Sequence, residues 1–303
     1  MDLFRKKALE KIPCPICGTS EIKLIAKRGQ FGLPCYVSIC PFDGLVFLSP
    51  RWSHQHYAYF YQNEYDSYYR NYIFHNETEE SKYKHIRDIC QRIECITTLY
   101  DRQSVLDIGA GMGWSLQWLQ AQYPNFNRVS AIESSKHCIN NIINVVGAKL
   151  IATDVTLKWE ESHFDLIIMR HVLEHFLDPI SALKKVSAHI SDNSVVYIAT
   201  PDMMNPHGSL RYYWFRAVHT TYFSKLTLIK IASLAKLSPI LINAEAGELW
   251  GLFRMSKEKY DVDLSKVYKK QMHIIRNHLR KNIYSDLKLT IKDILSRSMR
   301  GPR

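Results

Sequence analysis

The sequence predicts an α/β fold, a mostly parallel sheet with helices on both faces, preceded by a small cysteine-bearing module. Three observations carry this reading. Between about Gln103 and Arg254, short apolar runs alternate with helical segments, which is the pattern of βαβ units. One run, Ser104-Val-Leu-Asp-Ile, passes straight into the glycine-rich turn Gly109-Ala-Gly-Met-Gly113 and then into a helix. The N-terminal stretch repeats a C-P-x-x-G pentapeptide and shows little helical periodicity.

Composition bounds the rest. With 303 residues, 46% hydrophobic and 23% charged, the chain can bury a sizeable core, which excludes wholesale disorder. No apolar run approaches the roughly 18 residues that a membrane span needs. The start, Met1-Asp-Leu-Phe-Arg-Lys-Lys7, lacks an apolar stretch behind its basic residues and does not read as a secretory signal. Of the 7 cysteines, Cys14, Cys17, Cys35 and Cys40 lie close together. An odd count so placed argues for reduced thiols and a local metal site in the cytoplasm over a disulfide framework. The net charge of +11 is polarised: of 40 Lys+Arg and 29 Asp+Glu, 13 and 5 lie in residues 256–303, leaving 27 and 24 before them. A basic tail on a nearly balanced body argues against a nucleic-acid groove.

The elements follow in order. Residues 1–50 form the cysteine module. Residues 51–100 form a connector, with Tyr57, Tyr59, Tyr61, Tyr65, Tyr68, Tyr69 and Tyr72 in one stretch and a helical pattern through Ile86, Ile89, Ile93 and Ile96. These tyrosines suit packing and a lid. Residues 101–255 form the core, with strands expected at 104–108, 129–132, 150–152, 164–169 and 195–199, and a helix over 115–122. Two further runs, 239–242 and 249–253, complete a sheet. Residues 256–303 carry apolar positions from Leu264 through Met272, Ile275, Leu279, Ile283, Leu287 and Ile291 to Ile294 with basic residues between, an amphipathic helical tail in one piece or two.

The glycine turn carries most of the chemistry. Its glycines, Gly109, Gly111 and Gly113, let backbone N–H groups approach a ligand at a helix N-terminus. A dinucleotide loop needs a glycine where this chain has Trp114. Asp107 would repel a pyrophosphate but suits an ammonium. Glu133 ends the next strand, placed to accept both hydroxyls of a ribose. Asp154 closes the third, placed to accept from an adenine amine. Ammonium, ribose and adenine together describe S-adenosylmethionine.

On VLDIGAGMG, Glu133, Asp154, Thr200-Pro201-Asp202 and the run from Phe164 through Arg170 to Pro179, the sequence resembles the class I SAM-dependent methyltransferases. The resemblance implies a Rossmann-like seven-stranded sheet with its final strand antiparallel. It places Asp107, Gly109, Gly111, Gly113, Glu133, Asp154 and Arg170 on the cofactor.

The pentapeptides Cys14-Pro-Ile-Cys17-Gly18 and Cys40-Pro-Phe-Asp43-Gly44 each present two ligands to one tetrahedral Zn²⁺ in the manner of a zinc ribbon. Asp43 stands where the repeat expects cysteine. A Cys14, Cys17, Cys40, Asp43 site follows, with Cys35 as the alternative fourth ligand and a metal-free relic ribbon as the other outcome. Ribbon, tyrosine-rich connector and methyltransferase core together resemble a bacterial group that includes deoxysugar C-methyltransferases, over about residues 12–255. In that group a histidine follows the fourth strand at the position of His175. Another occupies the place of His219 in Val218-His219-Thr-Thr-Tyr222, preceded there by a glutamate that Val218 replaces. His175, His219 and Tyr222 are therefore the catalytic candidates, with histidine as the base near its ordinary value of about 6.5.

The reading is a cytoplasmic methyltransferase that acts on a small molecule, a sugar or polysaccharide precursor, without nucleic acid or a membrane span. The alternatives are an RNA methyltransferase using ribbon and tail, and a non-catalytic scaffold. Oligomeric state is not legible.

Overall fold

The computed structural model describes residues 9–30, 34–65, 79–160, 163–258, 261–289 and 291. Met1–Lys7, Tyr68, Tyr69, Tyr72 and Ile294 of the sequence reading lie outside the described residues. The N-terminal part holds β1 (Leu9–Glu10), β2 (Lys23–Arg28), β3 (Pro34–Ile39), β4 (Val46–Leu48) and β5 (Arg51–Trp52). Helices α1 (His54–Asn63) and α2 (Glu79–Glu94) follow. The core then runs β6 (Ser104–Ile108), α3 (Trp114–Gln122), β7 (Arg128–Ile132), α4 (Lys136–Asn141), β8 (Lys149–Ala152), β9 (Leu166–Arg170), α5 (Pro179–Ser187) and β10 (Val195–Pro201). After it come β11 (Thr221–Tyr222), α6 (Lys225–Leu234), β12 (Leu237–Glu245), β13 (Glu248–Met255) and α7 (Val267–Lys281).

The main sheet has 7 strands in the order β12-β13-β10-β9-β6-β7-β8. All neighbours from β10 to β8 pair in parallel, and β13 runs antiparallel to both β10 and β12. Alternation along the strands divides the core in two. Leu106, Ile108, Ile167, Met169, Val196 and Ile198 pack on one face against Ala182, Leu183 and Val186 of α5 and Leu228, Ile231 and Ala232 of α6. Val105, Leu166, Ile168, Tyr197 and Ala199 pack on the other against Ile86, Ile89 and Ile93 of α2 and Leu116 and Leu119 of α3. The three isoleucines recur at helical spacing and are at most 1% exposed, each contributing about 1.5–3 kcal/mol of burial. Helix starts are set locally: Ser224 and Thr227 form a reciprocal capping box on α6, and Asp178 accepts the Ser181 amide ahead of Pro179 on α5.

The N-terminal module is stitched to the core. Its 4-stranded sheet has the order β11-β4-β3-β2, so its edge strand comes from the segment that follows β10 of the main sheet. Thr221 pairs with Phe47 and Tyr222 with Val46. Cys14, Cys40, Leu45 and Phe47 are buried in the same cluster as the sheet face above. The tail begins by packing on this junction: Met272 and Ile275 of α7 join Val37, Ile39 and Trp214 in one cluster. Buried Gln271 donates to the Met203 carbonyl at 2.9 Å. A second helical stretch, 283–289, follows α7, so the amphipathic stripe is broken into two pieces.

Candidate active site

The strand β6 is buried along its length, and it delivers the chain to three glycines with left-handed backbones, φ +75° at Gly109, +56° at Gly111 and +77° at Gly113. Side chains are strained there, but the surroundings differ. A Cβ at Gly109 would meet Val172 at 2.8 Å, and one at Gly113 would meet Val146 at 3.1 Å. A Cβ at Gly111 would meet nothing within 4 Å. The outer glycines allow close packing, and the middle one faces the room left for a ligand.

Glu133 closes this loop from the next strand. One carboxylate oxygen accepts the Gly111 amide at 2.7 Å, and the other accepts the Ser134 and Ser135 amides at 2.9 and 2.8 Å. These bonds fix the carboxylate at the rim of the loop, beside the open space at Gly111. Asp107 is buried beside it. Desolvation first, and the Glu133 charge second, push its carboxyl up to about 8, with Arg170 opposing. A buried acid short of positive charge fits an incoming ammonium. Asp154 lies two residues past Ala152, whose carbonyl accepts the Glu133 amide. One of its oxygens accepts the Thr156 amide and hydroxyl at 2.7 and 2.6 Å, leaving the other for a ligand. These residues fit a cofactor that is cationic at one end and hydroxylated in its middle.

A cavity of about 970 Å³ opens beside the end of β9. Its hub is Glu248, which sequence reasoning missed. Glu248 pairs with Arg92 at 2.9 Å, with His171 at 2.9 Å and with Arg170 at 3.2 Å. Burial opposes its charge, yet the bonds to His171, Arg170 and Arg92 hold its carboxyl down to about 2. The same Glu248 and Glu174 raise His171, against burial. Arg170 therefore lies on the seam: its charge reaches Asp107 on the cofactor side, and its guanidinium binds Glu248 on the cavity wall.

His175 and His219 meet at the cavity. Their ring centroids are 4.7 Å apart in an edge-on arrangement. The sequence places His171 and His175 at the i,i+4 spacing of a short helix, but they do not share one. His171 has φ +51° at the strand end, and only a single turn, Leu173–His175, follows. The Tyr61 hydroxyl meets His175 Nδ1 at 3.0 Å. Burial lowers His175, with Glu174 opposing, and burial with the charges of His175 and Arg216 takes His219 well down. Both therefore stand below the ordinary histidine value expected from sequence, His219 from within the core and His175 from the cavity wall. The segment that carries His219 is held from three sides. Thr220 donates its amide to Glu174 at 2.7 Å, its carbonyl accepts from Leu48 at 2.9 Å, and Tyr57 donates to Ala217 at 2.7 Å. Tyr222 is turned away from the cavity wall. Its hydroxyl accepts the Arg216 amide at 2.7 Å and donates to the Arg216 carbonyl at 3.1 Å, which makes it a brace for this segment.

The two pentapeptides adopt the same turn. Gly18 donates to the Cys14 carbonyl at 2.8 Å and Gly44 to the Cys40 carbonyl at 3.0 Å, with φ of +73° and +74°. Ligand atoms of Cys14, Cys17, Cys40 and Asp43 all lie within 4.8 Å of one another. Cys17 and Cys40 sulfurs are 3.6 Å apart, close to the edge of about 3.8 Å in a tetrahedron of Zn–S bonds. Cys35 is not in this group. It is buried with Ala26, Val37 and Phe215 in a separate cluster, which removes it as the fourth ligand.

The chain is 26% identical to the (S)-tetrahydroprotoberberine N-methyltransferase of Eschscholzia californica and 27% identical to a counterpart from Papaver bracteatum. Each match covers 115 residues, 36% of this chain and 31% of the relative. The chain thus spans about a third of the length of the curated relatives it matches. A chain from the complex between the Haloferax volcanii Trm112 methyltransferase activator and its methyltransferase superposes with a TM-score of 0.50 at 12% identity. That superposition covers 66% of this chain and 97% of the other, and it shows a shared fold. The stretch from residue 78 to residue 238, more than half of the chain, fits the family model described as Methyltransferase domain, and the protein belongs to that family.

Proposed function

We propose that the protein transfers the methyl group of S-adenosylmethionine to a small-molecule acceptor in the 970 Å³ cavity, a sugar or polysaccharide precursor. The observation that carries this is the position of Arg170 between a loop fitted for the cofactor and the cavity that holds the histidine pair. The names of the curated relatives support a small acceptor. When bound, the cofactor supplies an electrophilic methyl carbon on a sulfonium. This chain's residues do the rest. Asp107 faces the ammonium and Glu133 the ribose, while Gly111 leaves the space. In the cavity, His175 and His219 are neutral imidazoles able to take the acceptor's proton as it is methylated. Tyr61, Tyr57 and Tyr222 hold them in place.

Cys14, Cys17, Cys40 and Asp43 are assigned to a structural Zn²⁺, on the sulfur spacing and the matched turns. The free thiols suit a reducing, cytoplasmic setting. Incubation of the protein with methyl-labelled S-adenosylmethionine and a small-metabolite pool tests the main reading. A labelled small molecule, read by mass spectrometry, supports it. Cofactor that is bound but never consumed favours the scaffold reading.

A further inference from the structure

Glu174 is an anomaly in this site. It is 1% exposed, yet neither carboxylate oxygen makes a hydrogen bond. Its nearest cationic partner is His171 Nδ1 at 3.4 Å. That contact gives one oxygen a charged neighbour and leaves the other with none, a cost that a bound ion would relieve. Its oxygen lies within 4.8 Å of ligand nitrogens on both His175 and His219. We infer that Glu174, His175 and His219 form a binding site for a divalent first-row transition metal at the acceptor end of the cavity.

Three features suit the donors to that task. The His219 ring, 6% exposed, makes no hydrogen bond among the described residues, so a ring nitrogen is available. His175 has Nδ1 held by Tyr61 at 3.0 Å, the outer contact that fixes the ring of a metal-bound histidine. Two imidazoles and one carboxylate bind zinc, cobalt or iron well and leave positions open for a ligand oxygen. The open positions face the cavity, where an oxygen of the acceptor would complete the sphere. With an ion bound, the imidazole lone pairs would be committed to it, so the role of free base proposed above belongs to the metal-free protein. The site is separate from the Cys14, Cys17, Cys40, Asp43 cluster, which is rich in sulfur.

This inference rests on the cavity being the acceptor site, and the test separates the two. Co²⁺ is titrated into the full-length protein with the cysteine cluster already loaded with zinc, and read by visible absorption and equilibrium dialysis. The expected result is about one Co²⁺ per chain, bound saturably and without thiolate charge-transfer bands. Glu174→Gln and His219→Ala should each weaken it at least tenfold, while Cys35→Ala, in a separate cluster, leaves it unchanged. S-adenosylmethionine binding is measured on the same samples and shows that the variants are folded. No saturable Co²⁺ binding, or equal binding in both variants, overturns the metal site even where the cofactor binds. Failure of the wild-type protein to bind the cofactor would instead sink the reading of the whole pocket.

Discussion

The Gly111 amide donates to the Glu133 carboxylate at 2.7 Å, tying the glycine loop of one strand to the acid that ends the next. The loop is therefore held in its ligand-binding shape from below, and its upper side is open at Gly111. A substitution at Glu133 should loosen the loop as well as remove the ribose partner proposed above. Gly111→Ala should weaken cofactor binding about tenfold while the sheet still folds, since φ +56° costs a non-glycine residue about 1–2 kcal/mol and the methyl projects into the ligand's space. Calorimetric affinity together with an unchanged far-ultraviolet spectrum checks this.

Asp107 makes cofactor binding depend on pH. Its carboxyl, at about 8 against an ordinary 3.8, is protonated at neutral pH, and a cation favours the ionised form. Binding should release close to one proton at pH 6.5, and affinity should rise with pH up to about 8 and then level off. The raised value also means that the proton stabilises the ligand-free protein fully below about 3.8, and that this contribution is lost as pH rises through about 8. Asp107→Asn should remove both dependences. Calorimetry in buffers of different ionisation enthalpy counts the proton.

The cysteine cluster should carry one zinc per chain. Asp43→Cys retains it, because thiolate is at least as good a ligand, and so does Cys35→Ala, because Cys35 lies in another cluster. Cys14→Ser loses it. Elemental analysis of protein purified without added zinc decides the matter, and less than about a tenth of an equivalent in the wild type points to a metal-free ribbon.

The His219 segment is braced and not free. Tyr222→Phe removes both bonds to Arg216 and should lower turnover several-fold with little change in cofactor affinity. His175→Ala or His219→Ala should lower turnover by about 10²–10⁴ with cofactor affinity again nearly intact. Wild-type turnover in both histidine variants would leave alignment and desolvation as the catalytic devices.

Much of this architecture is legible in the sequence, for physical reasons. Strands buried on both faces read as apolar runs, so 104–108 is found to the residue and the others shift by a few positions at their ends, where hydrogen bonding and not hydrophobicity sets the limit. The glycine turn and the paired pentapeptides are local devices whose spacing shows in the chain. The Glu248 hub is not local. It joins Arg92 and the adjacent pair Arg170 and His171 from two distant segments, and nothing in Ala246-Gly-Glu248 marks it. Glu174 hid in the same way, because its burial and its lack of hydrogen bonds appear only after the chain folds. The strand contributed by Thr221–Tyr222 to the N-terminal sheet is too short to leave a periodic signal.

The most direct test of the account is a calorimetric titration of S-adenosylmethionine and its demethylated product into the wild-type protein and the Glu133→Ala variant. The account predicts one saturable site per chain for both ligands in the wild type. It predicts weakening of at least tenfold in the variant, since each lost charge-assisted bond is worth about 1.5–3 kcal/mol. No binding by the folded wild type, or equal affinity in the variant, would contradict the cofactor assignment on which the rest is built.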